Sequence, residues 1–256
     1  IETELWPNFL RLAWRKKIPV MMMNGRISGR SMRRYSLIKR FTTRMLFQIR
    51  KFCMQSKIDR ERIISMGAIP ERVVITGNTK YDQTYAEVSE EERARLRKEF
   101  RFEGKGPIIV AGSTHGGEEE IVVRTFGKVL EKYPDARLLL AVREITRAAS
   151  VRFMIKHQGY TVLRRSKMGT EEDDGKGAQI VILDTIGELG RLYSLADVVF
   201  VGGSFVKVGG HNILEPAAHG KPVLVGPYMF NFQEIFELLS ERGVCIMTPD
   251  ENAFEK

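Results

Sequence analysis

The sequence predicts an α/β protein made of two doubly wound domains on parallel sheets, and three observations carry that expectation. From residue 105 onward, short β-branched runs alternate with amphipathic stretches at helical spacing, the pattern of strands joined by crossover helices. Gly220 and Gly243 stand where two helical patterns stop, the place a helix C-terminus favours glycine. The chain has 256 residues, long for one unit at roughly 150 residues per domain.

The N-terminal part is written less plainly. Residues 18–23 read as a buried strand, 32–49 as one long basic helix, 52–54 as a short strand, 60–65 as a helix stopped by Gly67, and 73–76 as another strand. The turn-rich stretch 77–82 follows and sets the boundary, giving domains 1–82 and 83–256. Beyond it, strands are expected at 107–111, 137–142, 161–163, 179–183, 197–201, 222–225 and 244–247. Helices are expected at 118–132, 148–157, 186–195, 213–218 and 232–242, and the acidic stretch 169–177 reads as a surface loop.

Composition narrows the function classes. Hydrophobic residues make up 43% and charged residues 29%, enough to bury a core in each unit and too apolar for wholesale disorder. Cys53 and Cys245 are the only cysteines, so neither a disulfide framework nor a cysteine metal site is expected. No apolar run reaches 18 residues; 198–201 and 223–225 are strand-length. The first residue is Ile1, and the chain reads as a piece of a longer protein. The net charge of +9 is one-sided: residues 1–60 hold 15 Lys+Arg against three acids, the remainder 26 against 29. Between Leu5 and Ile58 no acid occurs, while Trp14, Tyr35, Phe41, Leu46 and Phe47 interleave with the cations. Such a surface fits an anionic partner. Near an anionic membrane each cation contributes roughly 1 kcal/mol; nucleic acid is disfavoured because no recognition motif is present.

In an open α/β sheet the ligand sits beyond the carboxyl ends of the strands. The strongest signal there runs from Gly202, Gly203 and Ser204 through Gly209, Gly210, His211 and Asn212 to Glu215. Glycines let backbone N–H groups approach a phosphate, and a helix starting near Asn212 adds partial positive charge. Asn212 and Glu215 also match a capping box that needs no ligand, which leaves four glycines and a histidine unaccounted for. A second turn, 111–120, offers Ser113 and Thr114 in a supporting role; its acids suit a helix N-terminus and would repel an anion there. His115 alone is weak evidence. Arg143, after the 137–142 strand, could grip a phosphate or a base carbonyl, with an ion pair as the plainer alternative. Asn231 reads as an N-cap.

Together these segments resemble the Kdo transferase family, whose members move 3-deoxy-manno-octulosonate (Kdo) from CMP-Kdo to a lipid A precursor. The residues are Ile1 to Asn8, Asn24 to Ser31, Thr76 to Asp82, Gly112 to Glu119, and Gly202 to Ser204 with Gly209 to Pro216 and Asn231-Phe232. The resemblance runs nearly end to end. It implies a GT-B glycosyltransferase with two Rossmann-like domains, the N-terminal one incomplete, inverting and independent of metal or any cofactor beyond the donor. It implies that Ser113, Thr114, Arg143, Gly203, Ser204, Gly209, Gly210, His211, Asn212 and Glu215 bind CMP-Kdo, Glu215 through the ribose. Glu2 or Glu4 would help place a sugar, and Arg26, Arg30, Arg33, Arg34, Lys39 and Arg40 would meet the lipid acceptor and the cytoplasmic face of a bacterial inner membrane. Val142-Arg143-Glu144 departs from the family's Pro-Arg-His, so no histidine role is carried to that position. The family's general-base Glu falls ahead of Ile1, so residues 1–256 are expected to bind CMP weakly without turnover. The competing expectations are a UDP-sugar transferase or epimerase of the same fold, and a non-catalytic basic module binding anionic lipid or nucleic acid through residues 11–57.

Overall fold

The computed structural model describes residues 5–82, 87–104, 106–171, 173 and 176–254, with backbone only at Arg30, Lys80 and Tyr81. The chain divides into two compact units, Ile1–Thr84 and Tyr85–Lys256.

Unit 1 begins with α1 (Pro7–Arg15), absent from the expected elements. Pro7 at the first helical position is preset for the turn, and Leu10 and Ala13 face inward. β1 (Val20–Gly25) follows. The single helix expected over 32–49 is two, α2 (Gly29–Ser36) and α3 (Lys39–Phe47). The break has a local cause. Ser36 donates its hydroxyl to Arg33 O at 2.7 Å, Ile38 leaves helical geometry at φ −118°, ψ 37°, and the Thr42 hydroxyl reaches back to Tyr35 O at 3.2 Å. Side chains thus take carbonyls that a continuous helix would have used. The chain then turns into β2 (Ile49–Met54), α4 (Lys57–Ser65) capped by the Ser56 hydroxyl, and β3 (Val73–Ile75). The three strands form a parallel sheet in the order β1-β2-β3. Met22, Leu46, Phe52, Met54, Ile63 and Met66 make up the centre of its core.

Unit 2 opens with α5 (Glu90–Glu99), started by Ser89, whose hydroxyl accepts the Glu92 N–H at 3.2 Å. Then come β4 (Ile108–Thr114), α6 (Glu118–Lys132), β5 (Arg137–Val142), α7 (Ala148–His157), β6 (Val162–Arg164) and β7 (Ile180–Leu183). The chain continues through α8 (Leu189–Leu192), β8 (Val198–Val201), α9 (Leu214–Ala218), β9 (Val223–Val225), α10 (Gln233–Glu241), β10 (Cys245–Met247) and α11 (Glu251–Phe254). The helix expected at 186–195 shrinks to α8 and a short 3₁₀ turn, because Gly187 takes φ +87° and the Thr185 hydroxyl bonds the Glu188 carboxylate.

The seven strands are all parallel, in the order β10-β9-β8-β4-β5-β7-β6. Leu138, Leu140, Ile180 and Ile182 pack on one face, Leu139 and Val181 on the other. That alternation with both faces covered is what a buried parallel sheet requires. From β4 the chain moves out to β5 and on to β6 at the edge, lays β7 between those two, then crosses to place β8 on the other side of β4. The switch point of the sheet therefore lies between β4 and β8, and the turns leaving those two strands are neighbours.

Candidate functional site

The turn after β4 and the loop after β8 are joined by one buried carboxylate. Glu118, the first residue of α6, is fully buried. One of its oxygens accepts the N–H groups of His115 at 2.9 Å and Gly203 at 2.7 Å, and the other those of Ser204 at 3.0 Å and Phe205 at 2.9 Å. Four donors replace the water an isolated buried carboxylate would demand. The fit needs Gly202, since a Cβ there would lie 2.6 Å from Ser113 O and 2.9 Å from a Glu118 oxygen. Ser113, at the bulge where β4 shifts register, holds φ +56°, a conformation a non-glycine residue adopts only under constraint.

This corrects part of the sequence expectation. The amides of Gly203 and Ser204 serve Glu118 rather than a bound phosphate. The Ser204 hydroxyl is used as well, donating to Val201 O at 2.6 Å and accepting from Gly226 N at 2.9 Å. Gly209 and Gly210, at φ +103° and +78°, both direct their N–H groups at Gly203 O, at 3.2 and 2.8 Å. Thr114 is buried, with its hydroxyl against Ala141 O at 3.4 Å. The expected helix start is short and late: α9 has five residues and follows Ile213, while Asn212 turns its side-chain oxygen onto Leu214 N at 3.1 Å. Asn231 does not cap α10; its amide donates to Val208 O at 2.8 Å and holds the loop. The amides of Gly203, Ser204, Gly209 and Gly210 are thus engaged within the protein, and the segment also presents side chains.

Those side chains converge. His115, from the β4 turn, and His211, from the β8 loop, meet Nε2 to Nε2 at 2.8 Å. Their rings are parallel within 3° with centroids 5.1 Å apart, the separation of two imidazoles joined end to end. Burial, the His115 ring and the Arg143 guanidinium together push the His211 pKa down to about 4. Arg143 itself is exposed at the end of β5. Glu215, half-buried on α9, has its carboxyl pKa raised by burial. Full burial raises the pKa of the Tyr193 phenol, and the Glu215 charge adds to that rise. The Tyr193 hydroxyl occupies the space beside β4, 2.1 Å from where a Gly112 Cβ would sit. Among the described residues the Ser113 hydroxyl has no hydrogen-bond partner. Ser113 near the end of β4, Arg143 after β5, His211 and Asn212 in the loop after β8 and Glu215 on the following helix thus stand at or beyond the ends of neighbouring strands, with His115 added to the set.

Three further carboxylates organise this edge without a motif to announce them. Glu119 is buried and takes both guanidinium nitrogens of Arg147, at 2.8 and 3.3 Å. Asp184, after β7, accepts from Arg164 at 2.7 Å and from the Ser166 N–H and hydroxyl at 2.8 and 2.6 Å. Although burial pushes its pKa up, these bonds bring it below the ordinary value. Glu188 is held at about 2, first by Arg165 and against the pull of burial, with Thr185 and Arg191 adding to it. The strand-end acids Asp184 and Glu188 are the signal a sequence reading could have used.

In unit 1 the segment after β1 is clamped from both sides. Asp59 accepts Ile27 N at 2.7 Å and Arg62 donates to Ile27 O at 2.7 Å. Arg26 is half-buried, while Arg33, Arg34, Lys39 and Arg40 are exposed on α2 and α3 beside Leu37, 86% exposed, and Phe41, 53% exposed. Glu2, Glu4 and the Arg30 side chain lie outside the described residues. Among the described residues no group of three His, Cys, Asp or Glu side chains could hold a metal ion, and no helix is long and apolar enough to cross a membrane.

Comparison with known proteins gives three findings. A family profile described as 3-deoxy-D-manno-octulosonic-acid transferase (kdotransferase) matches residues 1–83. The 3-deoxy-D-manno-octulosonic acid transferase of Haemophilus influenzae is 38% identical over 259 residues, covering 100% of this chain and 59% of that protein. A bifunctional glycosyltransferase/methyltransferase of Fusobacterium nucleatum is also 38% identical, covering 100% of this chain and 39% of that protein. The chain therefore spans well under two thirds of these relatives. Among solved structures, the C-terminal CMP-Kdo binding domain of WaaA from Acinetobacter baumannii has a TM-score of 0.56 at 28% identity, over 64% of this chain and 83% of that one. UDP-GlcNAc 2-epimerase from Neisseria meningitidis has a TM-score of 0.55 at 13% identity, over 96% and 61%, a likeness of fold alone.

Proposed function

Because the chain belongs to the 3-deoxy-D-manno-octulosonic acid transferase family, whose fold is of the GT-B type, we propose that it forms the donor-binding part of an inverting glycosyltransferase. The reaction is transfer of Kdo from CMP-Kdo to a lipid A precursor in lipopolysaccharide synthesis. The observation that carries the donor is the 28% identical match to a CMP-Kdo binding domain, set beside Ser113, Arg143, His211 and Glu215 at or beyond the ends of neighbouring strands.

The chemistry fits those groups. When an acceptor hydroxyl attacks the anomeric carbon, the bond to phosphate breaks and the cytidylate leaves with its full charge. Positive charge and N–H donors placed where that charge develops lower the barrier. Arg143, exposed and at the end of β5, offers a planar fork suited to two phosphate oxygens. His211 adds a ring N–H, and the Glu215 carboxylate accepts ribose hydroxyls. No metal or cofactor enters this reading. The exposed cations Arg33, Arg34, Lys39 and Arg40, with Arg26 and Arg30, meet lipid phosphates, and Leu37, Ile38 and Phe41 supply the apolar complement of a membrane interface. The location that follows is the cytoplasmic face of a bacterial inner membrane.

Thermal unfolding with and without nucleotide tests the donor assignment. A ligand that binds only the folded state raises the melting temperature, and at one concentration the tighter ligand raises it more. CMP is expected to protect the chain and UDP to protect it far less; equal protection by UDP would move the assignment to a UDP-sugar enzyme.

A further inference from the structure

We propose that His115 and His211 act as one proton-accepting pair: when a phosphate-bearing ligand binds at the β4 and β8 strand ends, the pair takes up a proton, with His115 as the positioning residue. The proposal deepens the nucleotide reading of this edge and rests on it.

Two neutral imidazoles carry two hydrogens on four ring nitrogens. The Nε2 to Nε2 contact of 2.8 Å uses one of them, so only one of the two outward Nδ1 atoms bears a hydrogen and the other presents a lone pair. With the shared hydrogen on His211, it is His211 that offers a lone pair, which repels an anion. A third hydrogen turns both Nδ1 atoms into donors, whichever ring holds the shared one. Proton uptake thereby converts an indifferent pair into an anion-binding one.

The surroundings oppose that third hydrogen until an anion arrives. His211 is half-buried with Arg143 nearby from the end of β5. The Glu118 carboxylate at the start of α6 is already consumed by four backbone N–H groups. Glu119, also on α6, is paired with Arg147, Glu120 is exposed, and Glu215 stands half-buried on α9. A phosphate dianion reverses the balance, since an opposite charge nearby favours the protonated ring. The backbone holds the geometry: a Cβ on Gly203 would lie 2.9 Å from the His211 ring, so glycine there lets the ring lie against the loop in line with His115.

Calorimetric titration with CMP at about pH 7.5, where a phosphate monoester with its second pKa of about 6 is nearly all dianion, counts protons when repeated in two buffers of different ionisation enthalpy. The chain is expected to take up close to one proton per CMP, the variant His115→Gln close to none while still binding CMP, and cytidine none. Nitrogen-15 spectra of the unsubstituted chain should show one Nδ1 without hydrogen in the free protein that gains one in the complex. CMP binding without uptake, uptake kept in His115→Gln, uptake with cytidine, or an unchanged Nδ1 signal overturns the pair and leaves the nucleotide site standing. Failure of the folded chain to bind either CMP or inorganic phosphate overturns both.

Discussion

The strand-end site of unit 2 and the α2–α3 surface of unit 1 treat charge in opposite ways. At the strand ends Glu118, Glu119 and Asp184 are almost entirely buried and each meets several donors, so charge there fixes the backbone. On α2 and α3 Arg33, Arg34, Lys39 and Arg40 are exposed, with no acid between Leu5 and Ile58 to balance them. Charge that is bonded internally sets geometry; charge left facing solvent sets what the surface attracts. The two regions should therefore fail differently when changed.

The largest effect is expected where charge faces outward. Replacing Arg33, Arg34, Lys39 and Arg40 together by Glu should cost about 4 kcal/mol or more of attraction to anionic vesicles at low salt and leave unfolding free energy nearly unchanged; sedimentation with vesicles and denaturant melts read the two separately. Unchanged vesicle binding would remove the lipid role from this surface. Next is Glu118→Gln, which keeps one acceptor oxygen for four backbone donors. Leaving buried N–H groups unpaired predicts a loss of about 3 kcal/mol in unfolding free energy by urea denaturation. Gly202→Ala drives a Cβ to 2.6 Å from Ser113 O, and overpacking of this kind predicts a loss of about 2 kcal/mol by the same measurement.

A smaller effect is set by pH. Glu188 is held at about 2 in the folded chain, below its unfolded value of about 4.3. A depressed carboxyl stabilises fully above the unfolded value, and that stability is lost as pH falls through the window from about 4.3 to 2. After discounting for solvent screening the contribution is about 1.5 kcal/mol. Glu188→Gln should flatten the stability profile in that window, and an unchanged slope would place the acid sensitivity elsewhere.

The same contrast explains what the sequence discloses. The strands of unit 2 are legible because a buried parallel strand is an unbroken apolar run, as Ile180 to Leu183 is. α5 is illegible by that criterion: its ten residues are nearly all charged and Leu96 alone is buried, so only the Ser89 cap marks it. The break at Ile38 depends on hydroxyls that bond locally, a competition that periodicity does not register. At the site, the glycines after β8 are visible in the sequence, but their purpose is not. The Gly203 amide answers to Glu118, 85 residues earlier, and that pairing exists only because β8 lies beside β4. His115 reads as an isolated histidine for the same reason, its partner standing 96 residues away.

The donor assignment at the β4–β8 edge is tested most directly by titrating CMP into the chain and into Arg143→Ala. Because Arg143 is exposed and outside the Glu118 scaffold, the substitution should leave the melting temperature of the free protein unchanged. It should weaken CMP binding by about tenfold or more, as loss of a charge-assisted contact of about 1.5 kcal/mol requires. Equal CMP affinity in the two proteins, or no CMP binding by the folded chain, would contradict the account.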